Sequence, residues 1–237
     1  MNQNFKNIDV VIICGGQGKR LKQVINDRPK VLAQINGRPF IDILIDRLLK
    51  YGFKRFILCV GYQKEKIREH FREKSKYFEV LFSQEDTPLG TGGALKRAQP
   101  LIKSDAFLAM NGDSFCPVDF NNFFSFHTEK KSFLTLLLAK VSSSKDYGTV
   151  ELGSSFRIKD FKEKSGSDKE AFINAGVYLM EKSVFGKMPK KEAFSLEYDF
   201  FPAMVCEKIY GYITDGEFVD IGTPLRYEKA QAVINGR

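Results

Sequence analysis

Three glycines fall within four positions in the run Cys14-Gly15-Gly16-Gln17-Gly18-Lys19-Arg20-Leu21. With no side chains at Gly15, Gly16 and Gly18, successive backbone N–H groups can close around an anion as a nest. Lys19 and Arg20 can add charge-assisted hydrogen bonds to phosphate oxygens. The spacing is neither G-x-G-x-x-G nor the Walker pattern, which argues against a dehydrogenase or a P-loop ATPase. A tight turn that needs glycine for its backbone angles would leave the same mark. One loop later, Arg28-Pro29-Lys30-Val31-Leu32 sets a lysine after a rigid proline. Beside a triphosphate, such a lysine is a positive point charge for negative charge developing at the α-phosphorus. Taken alone, Lys30 equally suits a surface position.

The rest of the composition narrows the chemistry by exclusion. His70 and His127 are too few for a histidine-rich metal site, and none of the four cysteines forms a C-x-x-C pair. Neither a zinc site nor a disulfide framework is expected. Cys14, Cys59 and Cys206 lie in apolar sequence and Cys116 follows Phe115, so all four read as small buried hydrophobes. A net charge of +8 invites nucleic acid as a partner. The basic residues are scattered, however, and Lys64–Lys74 interleaves them with Glu65, Glu69 and Glu73 like a solvated helix face. No nucleic-acid partner is expected; a positive field suits small polyanionic substrates. No run approaches the roughly 20 apolar residues that cross a bilayer, and Met1–Asp9 lacks a signal-peptide core. A cytoplasmic protein without a membrane partner is the expectation.

The elements that must position these residues read as α/β. With 237 residues, the chain suits one substantial domain over 1–237. Val10–Cys14, Arg55–Val60, Phe78–Ser83, Ala106–Met110 and Phe133–Ala139 are near-continuous apolar runs, as in strands buried on both faces. Ile41, Leu44, Ile45, Leu48 and Leu49 keep helical spacing until Gly52, and Lys64–Lys74 and Gly92–Leu101 are further helices. Later in the chain, Ala171–Met180 and Lys208–Ile213 read as strands, and Leu196–Glu207 and Pro224–Asn235 as helices. Lys162–Glu170 reads as a polar surface loop. Alternation of strand and helix predicts a Rossmann-like, mostly parallel central sheet flanked by helices. Ligands in such sheets bind where loops leave the carboxyl ends of the strands, which is where the glycine run falls. The aromatic run Phe120–Phe126 suits the core face of an amphipathic helix; an interface of a homo-oligomer is the alternative.

Further segments follow in order, each after a strand-like run: Glu85 with Leu89-Gly90-Thr91-Gly92-Gly93-Ala94, then Asn111-Gly112-Asp113, Tyr147-Gly148-Thr149-Val150, Phe161-Lys162-Glu163-Lys164, Asn174-Ala175-Gly176-Val177-Tyr178 and Phe218-Val219-Asp220-Ile221-Gly222-Thr223-Pro224. With Cys14–Leu21 and Arg28–Leu32, they resemble the G-G-x-G-x-R-L…P-K signature and its successors in the sugar-1-phosphate nucleotidyltransferases. The resemblance runs from Val10 to about Tyr227. It implies transfer of a nucleotidyl group from a nucleoside triphosphate to a sugar 1-phosphate, with release of pyrophosphate. The nucleotide-binding part would cover about 1–115 and the sugar-phosphate-binding part about 116–237.

Residue roles follow from that resemblance. Arg20, Lys30 and Asp113 would be catalytic. Cys14, Gly15, Gly16, Gly18, Lys19, Glu85, Gly90 and Thr91 would bind the nucleotide. Gly112, Tyr147, Gly148, Glu163, Lys164, Asn174 and Gly176 would bind the sugar phosphate. Asp113 and Asp220 would hold Mg2+ against the reacting phosphates; a turn former in Asn-Gly-Asp and a cap or salt bridge are the respective structural alternatives. The attacking phosphate is already ionised at neutral pH, so no general base is required, and catalysis is positioning plus charge neutralisation. Glu85 suits guanine, whose N1–H and N2 amino group one carboxylate can accept together. Some uridylyltransferases also carry Glu there, and a one-residue shift would put Gln84 in its place. The short chain is most similar to D-glycero-D-manno-heptose 1-phosphate guanylyltransferases, which serve surface-polysaccharide synthesis; mannose-1-phosphate guanylyltransferases usually carry extra C-terminal sequence. Lys19 stands where the family often has Thr, and Ala175 where it usually has Gly. A glycosyltransferase of similar sheet architecture would want an Asp-x-Asp motif, which the chain lacks. A non-catalytic nucleotide-sugar sensor would have no need of Arg20, Lys30, Asp113 and Asp220 together.

Overall fold

The computed structural model describes residues 4–21, 24–162 and 168–234. Its strands are β1 (Asp9–Ile13), β2 (Gln34–Ile35), β3 (Arg38–Pro39), β4 (Arg55–Val60), β5 (Glu79–Gln84), β6 (Ala106–Asn111) and β7 (Ser114–Phe115), then β8 (Leu134–Val141), β9 (Thr149–Leu152), β10 (Ile158–Lys162), β11 (Ala171–Glu181), β12 (Tyr210–Thr214) and β13 (Val219–Asp220). The helices are α1 (Phe40–Lys50), α2 (Lys64–Phe71), α3 (Gly90–Ala98), α4 (Phe120–Glu129), α5 (Phe201–Met204) and α6 (Pro224–Val233). Among the described residues none of these helices is long and apolar enough to cross a membrane.

Consecutive residues of β1 point into different cores, which is why the run is apolar throughout rather than alternating. Val10 and Ile12 join one cluster with α1, α2, α4 and α6; Val11 joins the other with α3 and α5. The main sheet has the order β10-β9-β11-β6-β1-β4-β5, with β8 paired to β11 and β12 to β8. β5, β4, β1 and β6 are mutually parallel, whereas β11 runs antiparallel to β6, β8 and β9. The parallel register matters for the site. Ile13 lies opposite both Cys59 and Asn111, and Cys59 opposite Ser83, so the loops after β1, β4, β5 and β6 emerge side by side.

Several expectations shift by physical causes that are local. The helix expected over Leu196–Glu207 is broken: a wide π turn covers Leu196–Phe200 and α5 begins at Phe201. Pro202 has no N–H to donate and its ring clashes with a helical carbonyl four residues back, so the chain widens before it. The β9–β10 hairpin has no counterpart among the expected elements. Its strands are short and only Val150, Ile158 and Phe161 are buried, too few to show a period. Cys206 is exposed, unlike the buried Cys14, Cys59 and Cys116, because it follows the broken helix. Phe120, Phe123 and Phe124 are buried on α4, the core packing expected of that run.

His127, also on α4, is 4% exposed, with Nδ1 2.7 Å from Thr135 Oγ1 and Nε2 3.3 Å from Glu181 Oε1. Burial lowers its pKa from 6.5 to about 4. The unfolded chain therefore takes up a proton that the folded chain refuses. The stabilisation is complete above about pH 6.5 and is lost as pH falls towards 4, by an amount of the order of 2–3 kcal/mol. Chemical denaturation at pH 7 and pH 4.5 should register this loss, and His127→Gln should remove most of it. Equal losses in the two proteins would exclude His127 as the titrating group.

Candidate active site

Above the ends of the parallel strands lies a cleft of about 270 Å3, lined by residues that include Ile13, Gly15, Gly16, Gln17, Glu85, Pro88, Gly90, Thr91, Asn111 and Asp113. Its floor is the carboxylate of Glu85. Glu85 donates its N–H to Val60 O at 2.9 Å as β5 ends, and its Oε2 accepts the Leu89 N–H at 3.2 Å. A Cβ at Gly15 would stand 2.5 Å from Glu85 Oε1, and one at Gly61 would stand 2.6 Å from it. The carboxylate thus sits in a slot that exists because two neighbouring strand-end residues are glycine. Burial pushes its pKa up, against the Leu89 N–H and Arg97, which pull it down.

Cys14 lies under the glycine run, buried, its thiol pushed well up by burial and, less strongly, by Cys59 and the Asp113 carboxylate. It is a neutral wall of the site, not a nucleophile. Gly16, Lys19 and Arg20 are exposed on the loop, and Gly18 takes a positive φ of 58° where a Cβ would stand 3.3 Å from Lys30 Cβ. Lys30 Nζ pairs with Asp113 Oδ2 at 2.6 Å; the lysine side chain is 13% exposed and the aspartate 41%. Gly112 is packed between Ile13 O and Val31, where a Cβ would find 3.0 Å to each.

At the start of α3, the N–H groups of Gly92 and Gly93 donate to Phe194 O at 3.0 and 3.1 Å. Thr91 Oγ1 donates to Glu197 Oε2 at 2.6 Å and accepts the Leu196 N–H at 2.9 Å. Gly90 and Thr91 therefore line the cleft mainly through their backbone, and the glycines of this segment make room for the crossing chain at 192–195.

The second half of the chain reaches the site through a two-residue ladder. β13 pairs antiparallel with β7, setting Asp220 opposite Ser114, and Ile221 N donates to Asp113 O at 3.0 Å. Asp113, in the turn just before β7, is thereby held next to β13, which carries Asp220. Gly222 N donates to Asp220 Oδ1 at 2.7 Å, Tyr147 Oη to Oδ2 at 3.0 Å, and Arg226 Nη1 lies 3.3 Å from Oδ2. Burial and the Asp220 carboxylate hold the Tyr147 phenol well above its usual range, so it acts as a donor. A Cβ at Gly222 would lie 3.6 Å from Arg20 Nη2, which brings the glycine-run arginine to the same corner.

β11 kinks at this edge. Its pairing with β8 shifts register between Asn174 and Tyr178, around Gly176 with φ 74°. Asn174 Oδ1 accepts the Gly176 N–H at 3.0 Å, Asn174 Nδ2 donates to Tyr178 Oη at 2.9 Å, and Asn174 N donates to Gly148 O at 3.0 Å. Asn174 and Gly148 thus shape the kink, and a Cβ at Gly176 would meet Ser114 Oγ at 2.7 Å. Glu163 and Lys164 lie outside the described residues. Sequence reasoning missed Gly61, Asn111 and Arg226. A glycine directly after the β4 run was a readable signal for Gly61, and Asn111 heads Asn-Gly-Asp; nothing marked Arg226 out from other surface arginines.

The slot makes a prediction about stability. Gly61→Ala should destabilise the protein by about 1–3 kcal/mol through overpacking against the Glu85 carboxylate. In a Glu85→Ala background the same change should cost much less, because the obstructing group is gone. Thermal denaturation of the four proteins checks this; strict additivity would rule out the contact.

Residues 9–236 match the model of the family described as nucleotidyl transferase. The chain is 38% identical over 225 residues to the D-glycero-alpha-D-manno-heptose 1-phosphate guanylyltransferase of Aneurinibacillus thermoaerophilus, covering 94% of this chain and 97% of that protein. It is 35% identical to the protein of the same name from Campylobacter jejuni, with coverages of 93% and 97%. The crystal structure of HddC from Yersinia pseudotuberculosis aligns with TM-score 0.85 at 34% identity, over 95% of this chain and 98% of that one. A second structure of HddC, complexed with GMP-PN, aligns with TM-score 0.83 over the same shares. With strand-end glycines, a lysine–aspartate pair and a family match over nearly its whole length, the chain belongs to the nucleotidyl transferase family.

Proposed function

We propose that the protein transfers the guanylyl group of GTP to D-glycero-D-manno-heptose 1-phosphate, forming a GDP-heptose and pyrophosphate. The observation that carries the base is the Glu85 carboxylate, held in its slot at the floor of the cleft. It can accept guanine N1–H and the N2 amino group together, whereas uracil and thymine offer a single donor between acceptors. The sugar rests on the relatives that share the chain's length and bear that substrate in their names.

In this reading the phosphate chain lies along Gly15–Gly18, where backbone N–H groups and Arg20 meet its charge. Without substrate, Lys30 and Asp113 compensate each other. With substrate, Lys30 turns to the phosphates, and its charge opposes the negative charge that builds as the sugar-phosphate oxygen attacks the α-phosphorus in line. Asp113 and Asp220 fit a hard divalent cation: both offer carboxylate oxygens, and the β7–β13 ladder brings the turn of Asp113 beside Asp220. Among the described residues no group of three potential protein ligands exists, so phosphate oxygens and water would complete the shell. Mg2+ bound there would supply neutralisation of phosphate charge. Tyr147, Gly148, Asn174 and Gly176, with Glu163 and Lys164, would form the sugar-phosphate side. Residues 1–115 and 116–237 would then divide nucleotide from sugar phosphate, with Asp220 crossing between them.

A pyrophosphate-release assay with four nucleoside triphosphates and a panel of sugar 1-phosphates tests the reaction. Release should require GTP and the heptose 1-phosphate; release with UTP alone would overturn the guanine reading, and release without sugar phosphate the reaction class. Lys30→Ala and Asp113→Ala should each lower kcat by about 10²–10³-fold with the fold intact. Wild-type turnover in either would remove that residue from the mechanism. Glu85→Gln should raise KM for GTP by about tenfold or more, the loss of hydrogen bonds to a charged acceptor. Unchanged KM would dismiss Glu85 as the base reader.

A further inference from the structure

Asp220 is the more enclosed of the two paired carboxylates, its side chain 12% exposed against 41% for Asp113. Both its oxygens are already engaged. Gly222 N donates to Oδ1 and Tyr147 Oη to Oδ2, and Arg226 Nη1 spans the carboxylate, 3.4 Å from Oδ1 and 3.3 Å from Oδ2. Asp220 does not hold Arg226 there. The backbone N–H of Arg226 donates to the Thr223 hydroxyl at 3.4 Å in the first turn of α6, and Nη2 donates to Asp146 Oδ2 at 2.8 Å. The guanidinium carbon lies 4.5 Å from the centroid of the Tyr147 ring, which packs edge-on against Phe218. The short bond of Arg226 is to Asp146; towards Asp220 it is a fixed charge at a longer distance.

We infer that Arg226 is a positioning residue that keeps Asp220 charge-compensated and lowers its affinity for free divalent cations, so that a cation is taken up with the triphosphate. This rests on the reading of Asp220 as a cation ligand. A cation approaching the carboxylate meets a permanent positive charge within 3.4 Å of both its oxygens. Two aspartates, with Lys30 on Asp113 and the anchored guanidinium on Asp220, then bind a free cation weakly. Triphosphate oxygens supply the negative charge that tips the balance.

Terbium tests this without turnover. The chain has nine tyrosines and no tryptophan, so Tb3+ luminescence excited through tyrosine reports ions near any of them, and the component lost in Asp220→Asn is the one bound beside Tyr147. Removing the charge in Arg226→Gln, or in Arg226→Met, which keeps an apolar chain on the Tyr147 ring, should lower the half-saturating Tb3+ concentration about tenfold. Arg226→Lys keeps the charge and should stay within about twofold of wild type. Asp220→Asn should abolish the site in every background. Unchanged or weaker Tb3+ binding in both neutral variants, with Asp220→Asn still abolishing it, would overturn the role of Arg226 alone. A Tb3+ titration unchanged by Asp220→Asn would overturn the cation reading of Asp220 and this inference with it.

Discussion

The parallel register of β5, β4, β1 and β6 is the constraint on which the site depends. Because Ile13 faces Cys59 on one side and Asn111 on the other, Cys14, Gly61, Glu85 and Gly112 emerge within one residue of the same level. A slip of one residue in any strand would move its loop and turn its side chains to the opposite face. Such a slip is resisted by burial: residues 10–12 of β1 and 56–60 of β4 are fully or almost fully enclosed between two helical layers. The shape of the cleft is therefore set by packing far from it.

On that platform, the two aspartates are charge-compensated within the described residues. Lys30 and Asp113 hold each other, and Asp220 is held by Tyr147, Gly222 N–H and Arg226. In the proposed reaction each contact would be replaced by a substrate oxygen or a cation of matching sign, so binding would exchange partners rather than expose bare charge. Glu85 differs: it is half-buried with a raised pKa, and its one backbone donor leaves room for further donors from a base.

The long β11 ties the two halves. It lies antiparallel to β6 beyond Val177, then kinks at Gly176 and continues along β8 and β9. The kink is built by Asn174, which spends its amide on Gly176 N–H and Tyr178 Oη. The β7–β13 ladder makes the second tie, delivering Asp220 beside Asp113 across more than a hundred residues of chain.

Much of this was legible from residues alone. Buried parallel strands announce themselves as continuous apolar runs, the α1 stripe ends at Gly52, and ordered motifs after strands located Gly15, Lys30, Glu85, Asp113 and Asp220. Local chemistry determines such features, since a glycine turn or an apolar period needs no distant partner to be recognised. What only the tertiary structure decided is pairing: Lys30 with Asp113, Glu85 with Gly15 and Gly61, and Arg226 with Asp220 and Asp146. Each joins residues whose separation in sequence carries no information about their distance in space. The same limit hid the β9–β10 hairpin and the break before Pro202, where tertiary packing and one missing N–H outweighed the helical pattern. Residue types set what the chain could do chemically; strand register and two long-range ladders decided which of them meet.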